Sequence, residues 1–264
     1  MQDLSVLFNM YVKPISGDDH KARLDSFYAG QKDDYDVFRH RFLHGRWPMA
    51  CAMPSPKNAV WVDIGGGTGS NLEFFGKDGI KNFDQVYILD LCGPLLEVAE
   101  QRVKENGWED KVTCVLGDAC DQSQDGQEGK LPAAGTVDVI TFSYSLTMIP
   151  DWKAAIEHAY NLLKPGGIIA VGDFTVTKQH SYFTQSLWPA IFSLDGIKLN
   201  TEHIPHLETT FRRLACKVRR GGFPYLGWIP FSQCPFYHFV GQKPGGRVLG
   251  PNGGTDRIPP LDVE

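Results

Sequence analysis

The chain has 264 residues, 42% hydrophobic and 22% charged, with a formal net charge of -5. That is enough chain for one large α/β domain with a full core, and the composition is that of an ordinary water-soluble fold. No basic excess argues for nucleic acid, so a small molecule or a lipid is the expected partner.

Met1–Ile15 mixes charge and proline with apolar residues, unlike a secretory leader. Residues 1–57 read as mostly helical. Val37, Phe38 and Phe42 share one helical stripe, Arg39 and Arg46 lie near another, and Pro48, Pro54 and Pro56 then break the pattern. From Ala59 strands and helices alternate. Strands are expected over 59–64, 85–89, 111–116, 137–142 and 168–174. Helices are expected over 70–77, 94–106 and 152–163, with Pro94 in a first turn and Gly107 at a stop. The polar, glycine-containing stretch 121–135 reads as a surface loop. Beyond Thr175 the pattern gives helices near 183–194 and 206–215 and closing strands near 216–221 and 236–242. Such alternation means parallel strands with right-handed crossovers, covered on both faces. The expectation is therefore a central seven-stranded, mostly parallel sheet with helices on both faces.

The six cysteines, Cys51, Cys92, Cys114, Cys120, Cys216 and Cys234, form no CxxC pair. They read as reduced thiols of a cytosolic-type compartment, and no metal site is expected. No apolar run reaches the roughly 18–20 residues of a spanning helix, so a membrane role would be peripheral. Two basic groups stand out locally, Arg39/Arg41/Arg46 and Arg212/Arg213/Lys217/Arg219/Arg220. The end of the chain is rich in glycine and proline and reads as a flexible tail or linker.

The chemistry gathers at strand C-termini, where open α/β sheets bind ligands. Asp63-Ile-Gly65-Gly66-Gly67-Thr68-Gly69 follows the first strand, and the glycines let a ligand approach the backbone closely. Asp90 ends the second strand, placed to accept from ribose hydroxyls. Gly117-Asp118-Ala119 follows the third, placed for an adenine amino group, and Ser143–Ile149 follows the fourth. Two cofactor classes compete. A nicotinamide cofactor brings a pyrophosphate to the helix N-terminus, which Asp63 would disfavour. A ligand with a positive group suits Asp63, and with Asp118 this points to S-adenosylmethionine. The plain alternatives are a turn cap at Asp63, a solvated strand end at Asp90 and a helix cap at Asp118.

With VDIGGGTGS, the acid of YILDLC, LGDAC, VDVITFSYSLTMIPDW and LLKPGGIIAVGDF, the run 59–149 and its continuation resemble the class I S-adenosylmethionine-dependent methyltransferases. The resemblance implies a Rossmann-like domain over 58–243, with a helical cap at 1–57 and a tail at 244–264. It implies that Gly65, Gly67 and Gly69 line the methionine portion beside Asp63, Asp90 and Leu91 hold the ribose, and Asp118 and Ala119 flank the adenine. Ser143 supplies a contact near the sulfonium.

The run Phe27-Tyr28 through Tyr35-Asp36-Val-Phe38-Arg39-His-Arg41-Phe42-Leu43-His-Gly45-Arg46, with the ending Pro235-Phe-Tyr-His-Phe-Val-Gly-Gln-Lys243, is similar to the methyltransferase part of betaine-lipid synthases. That implies trimethylation of the amino group of diacylglycerylhomoserine. It also implies an amino-lipid substrate, peripheral contact with the cytoplasmic side of a membrane such as the endoplasmic reticulum, and fusion to or association with a 3-amino-3-carboxypropyl transferase domain. Tyr144, Tyr28 and Asp173 are the candidate catalytic residues that bound or deprotonate the amine, with His180 a further candidate. Tyr35, Arg39 and Arg46 are candidates for the cofactor site, the arginines through a carboxylate. A small-molecule O- or N-methyltransferase and a non-catalytic cofactor-binding module of a larger synthase are the competing readings. The apolar stretch 183–192 reads as core or as a lid over acyl chains. The aromatic, proline-rich stretch 223–231 reads as a packed loop or a headgroup dock.

Overall fold

The computed structural model describes residues 17–28, 42–52, 57–177, 180, 182–193, 197–222 and 233–245. Seven strands form one sheet: β1 Val60–Ile64, β2 Gln85–Asp90, β3 Val112–Leu116, β4 Val137–Ser143, β5 Leu163–Phe174, β6 Arg212–Gly222 and β7 Gln233–Gln242. Their spatial order is β3-β2-β1-β4-β5-β7-β6. The first five pair in parallel, and β7 runs antiparallel between β5 and β6. The helices are α1 His20–Tyr28, α2 Arg46–Ala52, α3 Gly76–Lys81, α4 Gly93–Asn106, α5 Trp152–Leu162, α6 Tyr182–Ser193 and α7 His203–Thr210. No helix among the described residues is long and apolar enough to cross a membrane.

The period-2 alternation of the strands builds two cores. Val62 and Ile64, Ile140 and Phe142, and Ile169 and Val171 meet Ala155, Ile156, Ala159 and Leu162 of α5 and Leu207 of α7 on one face. Trp61, Val86, Ile88, Val139, Ile168 and Ala170 meet Leu96, Ala99 and Val103 of α4 and Met49 of α2 on the other. Helix α1 packs Tyr28 and Leu24 against Cys92 and Leu95, where α4 begins, and Asp25 accepts from the Gly93 N–H at 3.2 Å. This contact sets α1 over the carboxyl ends of the central strands.

Local differences from the sequence expectation have local causes. Residues 70–77 are a tighter 3₁₀ turn, Ser70–Phe75, before α3 begins at Gly76. Strand β5 starts at Leu163, because Leu163 pairs with Val137 and Gly166 donates to the Lys243 carbonyl at 3.0 Å. The helix expected over 206–215 begins at His203, where Asn200 Oδ1 accepts from the Glu202 and His203 N–H groups. It ends at Thr210, and Ala215 pairs with Val240 in the sheet. Edge strand β6 carries Arg212, Arg213, Lys217, Arg219 and Arg220. A strongly basic edge resists pairing with another sheet, which accounts for that patch without invoking a ligand.

Candidate active site

The order β3-β2-β1-β4 reverses direction between β1 and β4, and a crevice opens there at the strands' carboxyl ends. A cavity of about 420 Å³ fills it. Its wall includes Gly65 and Gly67 after β1, Asp90, Leu91 and Cys92 after β2, and Gly117–Cys120 after β3. Tyr144, Ser145 and Met148–Asp151 close it after β4, and Asp19–Lys21, Leu24 and Tyr28 come down from the α1 side. Gly65 has φ 67°, and a Cβ there would collide with the Ser145 side chain. Only glycine fits this conformation in this space.

The two acids at the ends of β1 and β2 do different things. Asp90 lines the cavity. Its Oδ2 accepts from the Gly67 N–H at 2.7 Å and its Oδ1 from the Cys92 N–H at 2.8 Å. A carboxylate has about four acceptor sites, and these two backbone donors fix how the group stands against the glycine loop. Asp63 is 1% exposed and is not on the cavity wall. It accepts from Thr141 Oγ1 at 2.5 Å and Asn71 Nδ2 at 2.8 Å. The expectation that Asp63 meets the ligand is thereby corrected: it fastens β1 to β4 and to the turn after the glycine loop. Burial pushes its carboxyl up to about 6, against the lowering effect of those two bonds and of the Arg46 charge.

Arg46 belongs to the same buried network. Its Nη2 donates to Ser70 Oγ at 2.5 Å and Asn71 Oδ1 at 2.8 Å, and its Nε to Asn71 Oδ1 at 3.0 Å. Its guanidinium lies 5.3 Å from the Phe74 ring centre. Arg46 therefore joins α2 to the turn after the glycine loop, and it does not line the cavity. Tyr35, Arg39 and Arg41 lie outside the described residues, as does the stretch 223–231.

Other expected residues divide in the same way. Leu91, Asp118 and Ala119 are on the wall, and Asp118 Oδ1 accepts from the Cys120 N–H at 2.9 Å. Gly69 is behind it, where a Cβ would press on Ile88 at 2.9 Å. Ser143 is buried 3.4 Å from Asn71 Oδ1, and Ser145, not singled out from the sequence, takes the wall position, its hydroxyl donating to the Ile64 carbonyl at 2.7 Å.

Tyr28 and Tyr144 both line the cavity. Tyr144 sits at φ 55°, an uncommon conformation for a residue with a side chain. Its N–H donates to the Gly172 carbonyl at 2.7 Å, and its hydroxyl accepts from the Gly45 N–H at 3.0 Å. Burial holds its phenol well above the usual range. Tyr144 therefore bounds the site with its hydroxyl fixed by Gly45.

Asp173 is fully buried and off the wall. It accepts from the Thr147 N–H and Oγ1 at 3.0 and 2.8 Å and from the Phe174 N–H at 2.7 Å. Burial raises it to about 6. Its expected role as a catalytic group gives way to one of anchoring the turn after β4. His180 accepts from the Thr177 N–H at 3.0 Å, a local turn contact.

These residues fit S-adenosylmethionine. Glycines without side chains face the cavity at one end, a fixed carboxylate stands in its middle, and Asp118 with Ala119 stands at the other end. Arg102 of α4, also unread in the sequence, steadies the loop by donating to the Thr68 carbonyl at 2.7 Å.

Residues 35–216 match the family described as a methyltransferase domain. A demethylmenaquinone methyltransferase of Anoxybacillus flavithermus is 34% identical over 174 residues, covering 62% of this chain and 69% of the relative. The ubiquinone/menaquinone biosynthesis C-methyltransferase UbiE of Agrobacterium fabrum is 28% identical over 138 residues, 50% of this chain and 49% of the relative, so the chain spans about half of that protein. Among solved structures, Haemonchus contortus phosphoethanolamine N-methyltransferase 2 with S-adenosyl-L-methionine superposes with a TM-score of 0.65 at 17% identity, over 88% of this chain and 61% of that one. At that identity the likeness concerns the fold.

Proposed function

The chain belongs to the class I S-adenosylmethionine-dependent methyltransferases, and on that premise we propose that its acceptor is the amino group of a lipid-borne amino acid, diacylglycerylhomoserine, methylated three times. The observation that carries this reading is the pair of aromatic side chains in the cavity. Tyr28 enters from α1, and Tyr144 is held at φ 55° after β4 with its hydroxyl fixed by Gly45. Strained residues are retained where a site needs them. An aromatic wall suits an amine that becomes a methylated ammonium. The resemblance of the segments around Tyr28–Arg46 and Pro235–Lys243 to betaine-lipid synthases supports the same acceptor.

The bound cofactor supplies a methyl group on a sulfonium, ready for in-line displacement. What the chain supplies is position and dryness. Gly65 and Gly67 would admit the methionine portion, Asp90 would meet the ribose, and Asp118 with Ala119 would meet the adenine. Leu24, Leu95, Met148 and Ile149 make the wall apolar, which disfavours a charged ammonium and favours the neutral amine that can attack.

A second reading, methylation of a ring carbon in a quinone precursor, is favoured by the names of the curated relatives. One assay separates the two. The protein is given S-adenosylmethionine with diacylglycerylhomoserine in mixed micelles, or with a demethylated quinol, and products are weighed by mass spectrometry. Three successive additions to the lipid support the proposal. A single addition to the quinol, with the lipid untouched, replaces it with the second reading.

A further inference from the structure

His158 lies in the middle of α5 on a face otherwise made of Ala155, Ile156, Ala159 and Leu162, and it is 0% exposed. Its two ring nitrogens, however, both reach groups outside the helix. Nδ1 is 2.8 Å from the Ala119 carbonyl oxygen, and Nε2 is 2.9 and 3.2 Å from the two Asp125 carboxylate oxygens. A carbonyl oxygen and an ionised carboxylate can only accept. Both contacts are hydrogen bonds only if each ring nitrogen carries a proton, and the imidazolium's charge then faces that of Asp125.

The two acceptors bracket one short piece of chain. Ala119 belongs to the bend Gly117–Cys120 on the cavity wall. Asp125 closes the 3₁₀ turn Gln122–Gln124 that follows. The same bend is held from other sides by Asp118 accepting from the Cys120 N–H and by Cys120 Sγ at 3.3 Å from the Asp151 carbonyl. Neither of those fixes the Ala119 carbonyl. His158 does so from beneath the sheet end, without touching the cavity itself.

We propose that His158 is a positioning residue, a buried imidazolium that sets the Ala119–Asp125 segment and through it the preference of the pocket for a 6-aminopurine. This rests on the reading that places adenine against Asp118 and Ala119. Replacement by glutamine leaves one donor group for two acceptors. The Ala119 carbonyl or the Asp125 carboxylate then goes unpaired in a buried place, and the segment shifts to find water. Asp118 moves with it, and the site loses its register with an exocyclic amino group.

The test uses the full chain and two ligands, S-adenosylhomocysteine and its hypoxanthine counterpart, S-inosylhomocysteine, titrated by calorimetry into wild type and His158→Gln. Wild type binds the adenine ligand more tightly. In the variant, affinity for S-adenosylhomocysteine falls about tenfold, the scale of one buried hydrogen bond, and the adenine-over-hypoxanthine ratio falls with it. A lower melting temperature with an unchanged ratio marks a merely structural histidine and overturns the proposal. Should His158→Gln not fold, Asp125→Asn is measured in its place, since it removes the opposing charge and keeps an acceptor; the same fall in the ratio is expected and an unchanged ratio overturns the proposal. Independently of any variant, nitrogen-15 NMR of wild type should show protons on both His158 ring nitrogens, and a bare nitrogen there overturns the proposal. If wild type binds both ligands equally while both nitrogens are protonated, the placement of adenine fails and the proposed preference falls with it.

Discussion

Replacing Arg46 with methionine tests whether the buried network behind the glycine loop holds the site together. The methionine stem keeps most of the packing along α2. What is lost is the guanidinium, with its two bonds to Asn71 Oδ1 and one to Ser70 Oγ. Ser70 Oγ then loses this donor and Asn71 Oδ1 keeps only the Ser143 hydroxyl at 3.4 Å, in a region where Ser70 and Asn71 are 1% and 4% exposed. Each orphaned group costs about 1–3 kcal/mol, and removing one charge from a buried ionic cluster costs about 3–5 kcal/mol in all. The two routes agree on about 4 kcal/mol, which corresponds to a melting temperature lower by roughly 10 °C for a domain of this size. Arg46→Lys keeps the charge but not the fork that reaches Ser70 and Asn71 together, so it should fall between wild type and Arg46→Met. Urea melts without ligand measure the series. In a double-mutant cycle with Asp63→Asn, the two losses should not add, because Asn71 touches both partners. If Arg46→Met unfolds within about 1 kcal/mol of wild type, outside the range for a broken buried ionic cluster, the network is not the structural element described.

Three further outcomes follow from the same geometry. Asp90→Ala should weaken S-adenosylmethionine binding at least about tenfold by calorimetry, and it should also cost about 1–2 kcal/mol of stability because the Gly67 and Cys92 N–H groups lose their acceptor; unchanged affinity would refute the ribose placement. Tyr144→Phe should leave cofactor affinity within about twofold and lower kcat, since the hydroxyl is bonded to the Gly45 N–H and not to Asp90 or the glycine loop; a loss confined to cofactor affinity would count against its place at the acceptor. Between about pH 4 and 6 stability should reflect two opposed slopes. Asp63 and Asp173, raised from 3.8 to about 6, keep protons that the unfolded chain has released, so their contribution falls as pH rises through that window. His203 and His238, lowered from 6.5 to about 4, refuse protons that the unfolded chain binds, so theirs rises over the same window. His203→Gln removes part of the gain, and its urea midpoint should drop as pH climbs from 4 to 6; a midpoint that parallels wild type at every pH contradicts the balance.

The sheet was readable in the sequence because its determinants are local: apolar strands, glycine stops and a proline in the first turn of α4. The positions along the chain that meet the cavity were readable for the same reason, since Gly65, Gly67, Asp90, Leu91, Asp118 and Ala119 follow directly on strand ends. Arg212, Arg213 and Ala215 fall in the expected helix but belong to a strand, because their strand identity comes from Gln242, Gly241 and Val240, distant partners in β7.

The acids and hydroxyls within strands were misread for a different reason. Asp63 shares strand parity with Trp61, Ser143 with Val139, and Asp173 with Val171, and each of those partners is buried in one core or the other. A side chain with the parity of a core residue points into a sheet face, so it needs a polar partner there. Asp63 finds Thr141 and Asn71, Ser143 finds Asn71 and Asp173 finds Thr147. Residues at or past the end of a strand turn toward the cavity, as Asp90, Leu91 and Ser145 do. His158 is not singled out in the sequence, because its two acceptors, the Ala119 carbonyl and Asp125, come from a loop whose path no periodicity describes.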